Sequence, residues 1–260
     1  VMMYQLCCLF VCFLLYSFAG WAYETVLCSV RARRFINRGF LSGPICPIYG
    51  VGAVTVIWIF SPLHLHPALL FILSAAVDTA IEYVTAVVLE KLFHTKWWDY
   101  SHYRFNFQGR TSLLGAVVFG TMSVLLIEYI HPPIERLVRS FPHAAVYICS
   151  AIGLMLLITD IVVTVVNIIA LNGKLQEIQQ QFTAFIDANK KRAEDLKTAF
   201  LERFENSEFN TARIRNTLNR PGYQIRRLIS AFPQMKPIHN LEAFEKIRER
   251  LKLTKGARKK

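Results

Sequence analysis

Four carboxylates stand inside strongly apolar runs of the 260-residue chain: Glu24, Asp78, Glu82 and Asp160. A charge in the hydrocarbon of a bilayer costs a few kcal/mol on insertion scales, so such residues mark sites that do something. Three kinds of chemistry fit them. They could line an ion or substrate path, act as a general acid and base, or form buried pairs that only fix helix packing. Asp78 and Glu82 are four residues apart, which puts them one turn apart on one helix face. Tyr16, Gly20, Glu24 and Cys28 recur every four residues and make a small-and-polar stripe. Asp160, Thr164 and Asn167 form another at i, i+4 and i+7. Glu90 and Glu128 lie nearer the ends of their runs. Glu24 precedes Arg31 by seven residues and Glu82 precedes Lys91 by nine. At about 1.5 Å per residue, both carboxylates sit roughly 10–14 Å inside the same boundary. The matched depth predicts that Glu24 and Glu82 converge on one cavity, with Arg38 or Arg110 as counter-charge.

Other chemistries find less support. No nucleophile has a sequence-adjacent partner, and catalytic residues stay unassigned. His64 and His66 form an H-x-H at a turn, too few ligands to predict a metal. The six cysteines, Cys7, Cys8, Cys12, Cys28, Cys46 and Cys149, show no C-x-x-C pairing and read as buried apolar side chains. There is no P-loop and no dinucleotide fingerprint, so the chain is not itself an ATPase and no cofactor is expected.

The elements that must position these residues are membrane helices. A crossing needs roughly 20 apolar residues, and five segments qualify or nearly do: 4–30, 44–61, 67–90, 112–131 and 144–171. The first continues to an arginine-rich stop without a small-residue cleavage site and reads as a span. Residues 31–43 carry Arg31, Arg33, Arg34 and Arg38, and 91–111 carry Lys91, Lys96, Arg104 and Arg110; 62–66 carry no lysine or arginine. Lysine and arginine mark the cytoplasmic side. The expected arrangement has the N-terminus outside and the C-terminus in the cytoplasm.

The second segment is unusual. "NRGFLSGPICPIYGVGA" (37–53) crowds glycine and proline where a helix should enter the membrane. Proline removes backbone donors and restricts the residue before it. Freed backbone groups are tolerated only against protein or a wet cavity, so this lead-in should face the interior of the bundle. "WWDYS" (97–101) reads as an interfacial aromatic anchor.

Residues 1–171 carry 10 Lys+Arg against 8 Asp+Glu, a net of +2, whereas 172–260 carry 20 against 10, a net of +10. A soluble α/β enzyme would not separate its charge in this way. The basic part begins as a helix: Leu175, Ile178, Phe182 and Phe185, then Ala193, Leu196, Phe200 and Phe204, form a stripe fit for a coiled coil or helical hairpin. After a break at Asn219-Arg220-Pro221-Gly222, Ile225, Leu228, Ile229 and Phe232 share a face beside Arg226 and Arg227. That basic amphipathic segment fits either the anionic leaflet or a neighbouring helix. Nucleic-acid binding is disfavoured, because no recognition fold or aromatic platform accompanies the charge. The predicted fold is an all-α membrane bundle of about five spans (1–171) with a helical, basic cytoplasmic tail (172–260).

Four ordered motifs, "YSFAGWAYETV" (16–26), "NRGFLSGPICPIYG" (37–50), "EYVTAVVLEKLFHTKWWDYS" (82–101) and "FNFQGRTSLLGAVVFG" (105–120), resemble a bacterial membrane family catalogued as ABC-transporter permeases of the CmpB-like class. "RRLISAFPQMK" (226–236) is similar to that family's C-terminal region. Gly20, Trp21 and Glu24 match its first block. Asn37, Arg38, Gly39, Phe40, Gly43, Pro44, Pro47, Tyr49 and Gly50 match the second. Glu82, Tyr83, Glu90, Trp97, Trp98, Asp99 and Tyr100 match the third, and Asn106, Gly109 and Arg110 the fourth. The resemblance implies a transport role, with membrane lipids and a separate ATPase as partners. Importer permeases commonly offer their ATPase an E-A-A-x-x-x-G loop, and no loop here shows one; "EAFEKIRER" (242–250) lacks the glycine.

The sequence thus predicts a transport permease-like component with a carboxylate-lined polar site near the cytoplasmic side, built from Glu24, Arg38, Asp78, Glu82, Arg110 and Asp160. The alternatives are a scaffold or sensor that recruits protein partners through its helical tail, and a membrane-embedded enzyme for a lipid-linked substrate. A homo-oligomer is compatible with each.

Overall fold

A computed structural model describes residues 2–189, 223–232, 234–237 and 245. The fold is helical. Helix α1 spans Met2–Ala32, α2 Pro47–Phe60, α3 Pro67–Phe93, α4 Leu113–Leu125, α5 His131–Ser140, α6 His143–Asn189 and α7 Tyr223–Ala231. One 3₁₀ turn, Ser61–Leu63, extends α2. Four two-residue strands, β1 Thr95–Lys96, β2 Asn106–Phe107, β3 Thr111–Ser112 and β4 Lys236–Pro237, tie down the connections. Among the described residues, four helical stretches are long and apolar enough to cross a membrane: Met2–Ala32, Pro67–Phe93, Leu113–Ser140 and His143–Leu171. Pro47–Leu63 is apolar but shorter.

Local sequence explains the boundaries. Proline at the first position starts both α2 and α3, where its missing N–H is no loss. His66 accepts from the Ala68 amide through Nδ1 at 3.3 Å and so caps α3. Ser112 caps α4 by accepting from the Gly115 amide at 3.1 Å. The fourth apolar segment does not stop at residue 131. A π turn, Leu126–Ile130, carries it into α5, so most of the expected loop 132–143 is helix. The cause is local: Pro132 and Pro133 bring no N–H for the preceding turn, and a wider turn absorbs the loss.

Helix α1 packs on α2 and α6, while α3 packs on α4 and α2. The α1–α2 crossing is close because Gly50 stands where a Cβ would lie 2.6 Å from the Phe13 carbonyl oxygen and against Ser17. Outward faces are apolar; Trp58 is 74% exposed, as are many leucines and valines in part. A soluble surface would not expose so much contiguous apolar area, and a membrane bundle requires it.

The basic amphipathic segment is not laid out on a surface. Helix α7 turns Leu228, Ala231, Phe232 and Met235 into one cluster with Phe93, Trp97, Ile168 and Leu171. Strand β4 pairs antiparallel with β1, setting Thr95 opposite Pro237 and Lys96 opposite Lys236. Side chains of the expected stripe at 175–185, and all of 193–204, lie outside the described residues. All six cysteines are free; Cys8, Cys12 and Cys46 are buried as expected, whereas Cys149 is exposed on the outer face of α6.

Candidate functional site

The broken lead-in to α2 is held by Asp160. Its Oδ1 accepts from the Ser42 amide and its Oδ2 from the Gly43 amide, each at 2.9 Å. Thr164, one turn on, lies 3.1 Å from the Ser42 hydroxyl. A Cβ on Gly43 would stand 2.8 Å from Oδ2, so only glycine lets the carboxylate approach. The Cys46 amide donates to the Ser17 carbonyl at 3.0 Å. Asn37 joins the two sides of the loop: it accepts from Trp21 Nε1 at 2.6 Å and donates to the Ser42 carbonyl at 3.0 Å. A Cβ on Gly39 would touch Trp21 at 3.4 Å. The lead-in therefore faces protein, as its glycine and proline content predicts, although Pro44 itself is exposed. Its acceptor is Asp160, not Glu24 or Glu82.

Beside this clamp, Arg38 reaches Glu24 with 3.4 Å between Nε and Oε2. Tyr49, on the first turn of α2, donates to Glu24 Oε1 at 2.7 Å. Gly20 makes room for the Tyr49 ring, which a Cβ would meet at 2.3 Å. Arg38 also donates to the Ala231 carbonyl at the end of α7 and lies over the Phe232 ring, 4.7 Å from its centroid. Arg227 of α7 is buried and donates to three successive carbonyls of the lead-in: Gly39 at 2.9 Å, Phe40 at 3.1 Å and Leu41 at 2.8 Å.

Glu82 is 5% exposed. Tyr100 comes in from the α3–α4 connection and donates to its Oε1 at 3.1 Å. Glu82 Oε2 is buried without a hydrogen-bond partner among the described residues. Tyr100 feels both halves of the site. Burial, then the charge of Glu82 and its hydrogen bond, then the charge of Glu24 all raise its phenol above the ordinary range, while Arg38 opposes them. Arg38 supplies the counter-charge of Glu24. Arg110 does not. It is engaged by Glu90, with Nη2 at 2.7 Å and Nε at 3.1 Å from Oε2, and its carbonyl accepts from Trp98 Nε1 at 2.9 Å. The reach of Arg110 is set by the 106–112 hairpin, whose turn needs left-handed backbone at Gln108 and Gly109. Asp78 lies a turn along α3 from Glu82 and accepts from the Ser123 hydroxyl of α4 at 2.8 Å.

The aromatic motif differs from the expected interfacial anchor. Trp97 is buried among Phe40, Phe93 and Phe232 because α7 covers it. Trp98 is partly buried, and Tyr100 serves Glu82. Asp99 accepts from the Ser101 amide at 3.0 Å and pairs with Lys236 at 3.1 Å. The Ser101 hydroxyl, its amide and then Lys236 hold the Asp99 carboxyl down at about 2. Sequence reasoning missed Tyr100 and Arg227 as partners of the site. A clue to the second was an arginine pair interrupting the apolar face of α7.

Among the described residues no group of three or more His, Cys, Asp or Glu is placed to hold a metal ion. Neither curated proteins nor solved structures yield a match to the chain. All four motif blocks and most of the helices carrying the site fall within the match to one family, which spans residues 11–165. The chain belongs to the membrane-protein family described as "Putative ABC-transporter type IV".

Proposed function

We propose that the protein is a permease-like transport component whose polar path runs past Glu24, Arg38, Tyr49, Glu82 and Tyr100. The reading is carried by one observation: Glu24 of α1 and Glu82 of α3 each accept from a tyrosine, and Glu24 also pairs with Arg38 of the broken lead-in to α2. Broken helices beside ionisable groups are how many transporters build a site in a membrane. In this reading α2 and its lead-in make a fifth crossing, too short as a helix alone. The end carrying 31–46 and 94–112 faces the cytoplasm, in keeping with its arginines and lysines. Residues 1–171 form the membrane domain and the rest the cytoplasmic tail. The membrane is the bacterial inner membrane, and a separate ATPase is the partner that the family's description favours.

Reconstitution tests this. Full-length protein in liposomes, alone and with an ATPase encoded beside it, should move solute or ion. Glu24→Gln and Glu82→Gln should each cut the flux about tenfold or more while the protein still folds. Absence of any flux under both conditions, or full flux in both variants, would sink the proposal. Reporters fused at 64 and 102 should report opposite sides of the membrane.

A further inference from the structure

We propose that Glu82, with Asp78 one turn away on α3, binds a single positive charge, a proton or a monovalent cation. The cargo or coupling ion is then cationic, not an anion. This deepens the permease-like reading and rests on the same group of residues.

The argument is a census of charge. Each of the other buried or partly buried carboxylates near the lead-in is balanced. Glu24 has Arg38 and Tyr49. Glu90 has Arg110. Asp160 has two backbone amides. Asp78 and Glu82 have one hydroxyl each, from Ser123 and Tyr100, and no cation is paired with either among the described residues. Glu82 goes further: it is only 5% exposed, and its Oε2 has no partner among the described residues. An unpaired, partly unsolvated carboxylate is among the costliest groups a fold can hold. A positive ligand at Oε2 removes that cost; an anion raises it. The groups facing Glu82 agree. Tyr100 donates only one hydrogen bond, Glu24 adds a like charge, and Gly115 brings no donor to Oε2: a Cβ there would only touch it, at 3.8 Å. Asp78 Oδ1 likewise lies against Gly52, where a Cβ would come within 2.8 Å. A multivalent metal is a poor fit, because it wants several protein ligands and the described residues offer no such group. One buried oxygen without a donor suits one charge.

The test is a thermal unfolding series on the purified full-length protein. NaCl and KCl are compared with choline chloride at equal ionic strength, and the pH is stepped from 8 to 6. Ligands that bind only the folded state raise Tm, here by about 5 °C or more near saturation. The expected result is that rise in wild type with Na⁺, with K⁺ or with falling pH, and its loss in Glu82→Gln, which supplies its own N–H to the site. Tyr100→Phe, which keeps the carboxylate but removes its donor, should shift the midpoint toward lower cation concentration or higher pH. It keeps the proposal testable if Glu82→Gln fails to fold. Gly115→Ala separates the sources: it should weaken a metal cation, which needs room beside Oε2, and spare a proton. A rise caused by bicarbonate or another anion, a dependence unchanged in both Glu82→Gln and Tyr100→Phe, or no dependence at all would overturn the proposal. Liposomes that carry no flux while the wild-type dependence persists would end the transport reading and leave the cation site standing.

Discussion

Asp160 and Glu82 are the same chemistry in two settings. Both are carboxylates on long apolar helices, and both approach a glycine. Asp160 spends both oxygens on the amides of Ser42 and Gly43 and adds Thr164 nearby. Glu82 has a single tyrosine donor, and its other oxygen has none among the described residues. The first is saturated by the backbone that the Gly/Pro segment sets free, so its charge is a fastening. The second is more deeply buried and less satisfied, so its charge awaits something. Burial alone does not separate fastening from site; the count of donors does.

The contrast can be broken most decisively at Asp160. Asp160→Ala strips the acceptors from two amides, and hydrogen bonds to a charged group are worth about 1.5–3 kcal/mol each. A loss of about 2–4 kcal/mol is expected, read as a fall in Tm of several degrees and weak expression, whereas Glu82→Gln, which removes an unpaired buried charge, should raise Tm in the absence of cation. Equal losses in the two would erase the distinction. Gly43→Ala is the milder version. Its Cβ would meet Oδ2 at 2.8 Å, forcing the clamp apart at about 1–3 kcal/mol, and Gly43→Ala combined with Asp160→Ala should cost less than the sum. The smallest effect belongs to Asp99, an accessible carboxylate satisfied by Ser101 and Lys236. Its folded value near 2 lies below the ordinary 3.8. Its contribution is therefore complete above about pH 4 and is lost as the pH falls toward 2. Trp97 and Trp98 fluorescence should report a slight loosening of the β1–β4 junction over that window, absent in Asp99→Asn.

The helices and the special status of the 37–53 segment were legible in the sequence, because apolar length and proline chemistry are local properties. Arg38 as a counter-charge was legible as well, since it stands in the basic loop that follows Glu24. Arg110 was not. Both arginines were offered as counter-charge, and only the 106–112 hairpin, with left-handed Gln108 and Gly109, decides that Arg110 turns to Glu90. Trp97 was misread for a different reason: a tryptophan near a boundary looks like an anchor unless one knows that α7, more than a hundred residues later, comes back to cover it. The acceptor for the broken lead-in was hidden for the same cause. Asp160 is 117 residues from Gly43, and no periodicity links them.

Helix α6 gives the clamp a mechanical side. It runs unbroken for 47 residues from His143 to Asn189, a rod of about 70 Å, with Asp160 some 44 Å from its far end. The hydrocarbon core is only about 30 Å thick, so the rod protrudes. Pivoted at Asp160, a tilt of about 5° at the short arm sweeps the distal tip through about 4 Å, given the helical rise. The fastening that steadies Ser42 and Gly43 is therefore also a fulcrum, where a small push on the far end arrives with the force multiplied.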